Sequence, residues 1–157
     1  MYLLRELVVF IKKKKIKMKP RFRKSDRSSF KYWFAHWAAF QMVALNLGIW
    51  TPRYLFHDFE KPWLKLFLPY HKVQKFHRRN NRHHISFKSP ERIDWVGLVI
   101  DWECCRFTKI ECPLNARQTY EAVIEGRGKE VLGREVEPEM IERMERNIPL
   151  VLEMLGL

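Results

Sequence analysis

Ser29-Phe-Lys-Tyr-Trp-Phe-Ala-His-Trp-Ala-Ala-Phe-Gln-Met-Val-Ala-Leu-Asn-Leu-Gly48 reads as one helix, and its pattern sets the class of the whole chain. On a wheel of about 100° per residue, Tyr32, Trp33, His36, Phe40, Val43 and Leu47 share one stripe, the signature of a helix with a buried face. Ser29 offers a side-chain oxygen to the first turn, and Gly48 closes the last one. His36 is thereby expected to point inward. A second apolar run, Trp95-Val-Gly-Leu-Val-Ile-Asp-Trp102, places Asp101 on one face with Gly97, Leu98 and Cys105, opposite Arg92, Glu103 and Arg106. A buried carboxylate without a partner costs several kcal/mol, so Asp101 calls for a cation, a metal or a set of donors.

Working outward, Thr51-Pro52 is expected to open a second helix that carries His57-Asp58 and ends at Pro62. Pro69 breaks the next amphipathic stretch, and a fresh helix runs through His71 and His77. Asn80-Asn81-Arg82 signals a polar loop with His83-His84 at its end. Ser89-Pro90-Glu91 starts a helix to about Phe107, Asn115 caps another to Gly126, Gly126-Arg-Gly-Lys129 is a hinge, and Pro138 begins the last, up to Leu155, with a kink expected at Pro149. Helical periods with only 6 glycines imply an all-α chain, and 157 residues of 46% hydrophobic content suffice for one packed domain. That domain is expected over 27–157, with the motif-bearing part at 29–110 and C-terminal helices at 115–157. Three cysteines, Cys104, Cys105 and Cys112, lack disulfide or Cys-x-x-Cys spacing, which points to a reducing, cytoplasmic setting.

The net charge of +12 is unevenly placed: residues 1–25 carry ten Lys/Arg against one Glu, leaving +3 for the remainder. Residues 1–26 therefore read as a flexible basic tail. Its apolar stretch, Tyr2 to Ile11, is too short and too charged to span a bilayer. Two roles fit the lysines and arginines of residues 12–24: weak contact with nucleic acid or another anionic surface, and a solvated leader, which the composition favours.

All six histidines lie between His36 and His84, in the order His36, His57-Asp58, His71, His77, His83-His84, followed by Asp101. Imidazole and carboxylate hold divalent metals through nitrogen and oxygen, so the cluster reads as a metal centre. The order resembles the HD-domain superfamily of metal-dependent phosphohydrolases, whose signature is a His, a His-Asp doublet and a late Asp on successive helices. The strings Leu55-Phe-His-Asp-Phe-Glu-Lys61, His77-Arg-Arg-Asn-Asn-Arg-His-His84 and Val99-Ile-Asp-Trp-Glu103 are similar to a family of HD-like proteins of bacterial and phage genomes with no assigned reaction.

The resemblance implies an HD-like helical bundle. It further implies a metal held by His36, His57, Asp58 and Asp101; because seven candidate positions exceed what one ion needs, one or two ions are expected, the second held by His77 and one of His83 or His84, with Asp58 bridging. The ions would be Mn, Fe, Zn, Mg or similar. The implied reaction is hydrolysis of a nucleotide or other phosphorylated small molecule by metal-activated water. Asp58 and Lys61 would be catalytic, and Lys61, Arg78, Arg79 and Arg82 would contact phosphate. Some HD nucleotidases carry Glu where this chain has Lys61, which weighs against their acid/base assignment. His71 is expected to be exposed or to donate to phosphate. Two other classes stay open: a di-iron oxygenase of the same fold, and a nucleic-acid-binding or His-Asn-His-type nuclease role for Asn80–His84 with the basic tail. The flanks of that string lack the alternating strands such a nuclease needs.

Overall fold

Helix α1 (Phe30–Asn46) begins where the sequence places it. The Ser29 Oγ accepts the Tyr32 amide at 3.1 Å, and Gly48 takes φ +71° just past the end. Its inward stripe, with His36, Ala39, Phe40, Val43 and Ala44 buried, packs along α4 (Arg92–Thr108). Helix α4 is buried from Asp94 through Ile100 and again over Trp102 to Cys105. A second helix covers its other side: α7 (Pro138–Leu155) presents Met144, Ile148, Val151 and Leu152 to the core and continues through Pro149. The computed structural model describes residues 21–84 and 92–157, so the cap expected at Ser89 and most of the basic tail lie outside the described residues.

Between these long helices run shorter ones: α2 (Glu60–Leu64), α3 (Tyr70–Asn80), α5 (Ala116–Ala122) and α6 (Gly128–Leu132). The chain is an all-α bundle, and among the described residues the β-type pairing is a single bridge, Phe22 to Lys109. Asn115 and Gln118 form a reciprocal capping box at the start of α5. No helix among the described residues is long and apolar enough to cross a membrane.

Several expectations are corrected. The Thr51-Pro52 segment forms a short 3-10 helix (Pro52–Phe56), so His57-Asp58 stand in the turn after it and not on a helix. Pro62 does not end an element but sits inside the first turn of α2, where its missing N–H has no intrahelical partner to lose. Glu103, placed by the wheel on the exposed face, is buried, because its Oε2 accepts the Ala116 amide at 3.0 Å and so serves the start of α5. Helix α5 passes into a π-turn (Val123–Arg127) broken by Gly126 at φ +82°. Finally, the tail's end is part of the bundle. Phe22 is buried, its amide donates to the Thr108 carbonyl at 2.9 Å, and Glu111 binds both the Lys24 amide and the Arg27 guanidinium at 2.7 Å.

Candidate metal centre

Helix α1 fixes the segment that carries the doublet. Trp33, Trp37 and Gln41 recur every four residues and so share a face. Their side chains donate to the carbonyls of Asp58 (2.8 Å), Leu55 (2.9 Å) and Tyr54 (2.6 Å). Next to that face, the His57 ring stacks on Phe40 with centroids 3.7 Å apart. Asp58 takes φ +59°, alone among the described non-glycine residues. Left-handed backbone is unfavourable for a side-chain-bearing residue, though Asp tolerates it better than most, and such conformations persist where the surroundings impose them. The turn is held by its carbonyls, and the buried carboxylate is aimed into the bundle.

Two groups of ligands meet on Asp58. His36 and Asp101, from the middle of α1 and α4, join His57. The His36 Nε2 lies 2.8 Å from the Asp101 Oδ1, and the His57 Nε2 lies 3.5 Å from the same oxygen and 3.4 Å from His36. His77 from α3 joins His83 and His84 from the turn that follows. The ligand atoms of each trio lie within 4.8 Å of one another. The Asp58 Oδ1 is 3.1 Å from the His77 Nε2, 3.5 Å from the His83 Nε2 and 3.6 Å from the His57 Nε2, so one carboxylate oxygen faces both trios. That oxygen and the Nε2 atoms of His77, His83 and His84 are buried without a hydrogen-bond partner. Buried polar atoms are nearly always satisfied, so four orphans at one place fit a cation-binding role.

The electrostatics leave this donor set ready for a cation. Burial pushes the His57 pKa down to about 4 despite the nearby Asp58, so its imidazole is neutral at pH 7 with a free lone pair. Burial, then His83 and His77, likewise hold His84 well below the usual histidine range. Burial alone would raise Asp58, but the neighbouring His57 and His77 rings and the Lys61 ammonium keep it well below the carboxylate range, and contacts with His36 and His57 do the same for Asp101. His77 goes the other way. Burial lowers it, yet the negative charge of Asp58 and the Glu60 carboxylate on its Nδ1 prevail and raise its pKa.

All seven ligand positions expected from the sequence come together. His83 and His84 both do, although adjacent residues on a regular element would diverge. They sit on an irregular turn, pressed against α4 at Gly97, where an added Cβ would stand 3.3 Å from the His83 Cβ. The expected phosphate contacts fare differently. Lys61 Nζ is bound to the Asp58 Oδ2 at 2.5 Å, and the Arg82 guanidinium is committed to Asp94, with Nη2 to Oδ2 at 2.9 Å. Arg79 and His71 are exposed on a surface groove along α3 that the metal ligands do not line. Arg78 lines a cavity of about 510 Å³ that reaches His84 and Asp101, and Arg82 lines one of about 370 Å³ together with His57, His77 and His83.

Two contributors escaped the sequence reading. Glu60 hydrogen-bonds the His77 Nδ1 and accepts the Asn81 amide at 3.1 Å, which orients the His77 ring from behind. Asp94, buried in α4, ties Arg53 (2.6 Å) and Arg82 together and so fastens the 3-10 segment and the His83-His84 turn to the same helix. An acid two residues after the doublet was the one visible hint of Glu60; nothing local marked Asp94. Comparison of the chain with family models, with curated proteins and with solved structures gives no match in any of the three.

Proposed function

We propose that the protein is a metal-dependent phosphohydrolase whose centre takes two divalent ions. The observation that carries this reading is the buried, hydrogen-bond-free Asp58 Oδ1 facing the orphaned nitrogens of one histidine trio and standing 3.6 Å from His57 of the other. The HD-type order of His36, His57-Asp58 and Asp101 supports it. His36, His57 and Asp101 would hold one ion, His77, His83 and His84 the other, with Asp58 shared. Such a pair of ions supplies a nucleophilic water at neutral pH and neutralises charge on both attacking and leaving oxygens of a phosphoryl displacement.

The chain's own residues do the rest. Lys61 holds the Asp58 Oδ2 and leaves the Oδ1 turned toward the histidines. Glu60 fixes the His77 tautomer by occupying its Nδ1, so that Nε2 is the coordinating atom. Phe40 and Val73, both buried, help to keep the surroundings apolar, which strengthens electrostatic contacts within. Substrate has room to approach in a cavity of about 300 Å³ beside His36, Asp58 and Lys61 and in the 510 Å³ cavity beside His84 and Asp101.

Elemental analysis of the purified protein is expected to find more than one equivalent of Mn, Fe, Zn or a similar ion. The Mn²⁺-loaded form is expected to release phosphate from phosphate esters, and Asp58→Asn to lose both metal and turnover while keeping its helical circular dichroism. Oxygen consumption by an iron-loaded form with no phosphate release would move the assignment to an oxygenase.

A further inference from the structure

The cavity of about 510 Å³ beside His84 and Asp101 has a wall that the reading above does not use. Lys109 closes the end of α4, and Arg134 follows α6. Arg78 projects from α3 on the same lining. All three are half-buried. The acidic residues there leave Lys109 and Arg134 without an ion pair. Glu111 is bound to Arg27 and to the Lys24 amide, Asp101 is bound to His36, and Glu130 is exposed; among the described residues neither Lys109, which contacts the Cys105 thiol, nor Arg134 pairs with a carboxylate. Gathering half-buried cations in one recess is costly unless an anion occupies it.

The backbone beneath Arg134 is built for the purpose of turning it inward. Helix α6 ends at Gly133 in left-handed conformation, φ +69°, which reverses the chain at once. Gly128 then lets the returning loop lie close: a Cβ there would stand 2.9 Å from the Val136 Cγ2 and 3.6 Å from the Arg134 carbonyl oxygen.

We infer that this recess binds a second anionic group of the substrate, so that the substrate is a phosphate ester carrying another phosphate or a carboxylate, with Arg134 and Lys109 as its specificity residues. The inference rests on the phosphohydrolase reading for the identity of the first group, but not for the existence of the anion site. Guanidinium and ammonium are complementary here: Arg134 can grip two oxygens of one group in a fork, and Lys109 adds a compact charge. The volume lies in the range of small-molecule sites, which suits a phosphorylated metabolite or nucleotide.

Inorganic pyrophosphate, titrated by calorimetry into the full chain without metal, tests the site apart from catalysis. Wild type is expected to bind it, Arg134→Ala to weaken binding at least about tenfold, equivalent to roughly 1.4 kcal/mol, and Arg134→Lys to recover part of the loss. Arg134→Glu is expected to abolish binding, with metal content unchanged in all three, since none touches a ligand. In the Mn²⁺-loaded protein, Arg134→Ala is expected to raise KM for 4-carboxyphenyl phosphate more than for phenyl phosphate. Equal pyrophosphate affinity in wild type and Arg134→Glu, or no binding by wild type, overturns the site. Arg134-dependent binding without any phosphate release upholds the anion site and overturns the hydrolase reading alone.

Discussion

His36 and Asp101 project from the middle of two long packed helices and hydrogen-bond each other at 2.8 Å, whereas His83 and His84 stand on a turn with Nε2 atoms that bond to nothing. In one half of the centre the facing donor atoms thus already contact one another, with the His36 Nδ1 behind them unpaired. The other is held in place by outer contacts, Glu60 behind His77, Arg82 on Asp94 and Gly97 beneath His83, but leaves its donors unpaired. The difference teaches that the first trio contributes to the fold of the metal-free protein, and that the second contributes mainly to metal binding.

The largest expected effect separates the two halves directly. His36→Ala should strip the nearly buried Asp101 of its closest partner and destabilise the metal-free protein by roughly 3 kcal/mol, read from denaturant unfolding. His83→Ala should change the metal-free stability by under about 1 kcal/mol and instead lower metal stoichiometry. Equal destabilisation by both would erase the distinction.

Next comes the support of α4, which carries Asp101. Phe22 is buried and bridges to the stretch after that helix, so a chain beginning at Arg27 should be less stable than one beginning at Arg21 by about 2 kcal/mol, the worth of a buried aromatic side chain. Thermal melts of the two truncated chains measure this. A null difference would return residues 21–26 to the tail.

The outer contact of the second half is tested by Glu60→Gln. Loss of the carboxylate behind His77 should weaken the ion at that trio by about 10- to 100-fold, measured by chelator competition, and leave the ion at His36, His57 and Asp101 in place.

Acidity should sharpen the comparison with the gentlest perturbation. His57, lowered to about 4, stays a neutral ligand through mildly acid pH, whereas His77, raised above the ordinary value, is protonated earlier as pH falls. Metal content should therefore drop at the His77 trio first. In the metal-free protein the sign reverses: the contact of protonated His77 with Asp58 and Glu60 stabilises the fold fully below about pH 6.5, and that stabilisation is lost as pH rises through the folded value. Equilibrium dialysis across pH, paired with melts of metal-free protein, checks both directions.

Charge is divided along the chain as unevenly as hydrogen bonding is divided in the centre. The formal +3 after residue 25 splits into +7 over residues 26–84 and −4 over residues 92–157. Basicity is therefore not confined to the tail, and Arg134, set in the acidic part, is brought by the fold to the same recess as Arg78 from the basic part.

Helix class, the inward aim of His36 and Asp101, the Ser29 and Asn115 caps and the ordered set of ligands were legible from residues alone, because periodicity, capping chemistry and donor type are local properties. The turn that bears His57-Asp58 was not, since proline at 52 and 62 suits a 3-10 segment and a helix start as well as the single helix expected. Glu103 looked exposed because a wheel knows one helix and not the start of α5 lying against it. Glu60 behind His77, Asp94 under Arg82, Gly97 beneath His83 and the burial of Phe22 likewise depend on what stands opposite in space. Sequence by itself determined which side chains can bind a cation and which faces seek the core. Only tertiary packing decided that His36, His57, His77 and His83 all face Asp58 and that Lys109, just past α4, and Arg134, after α6, line one recess, because those relations join positions far apart in the chain.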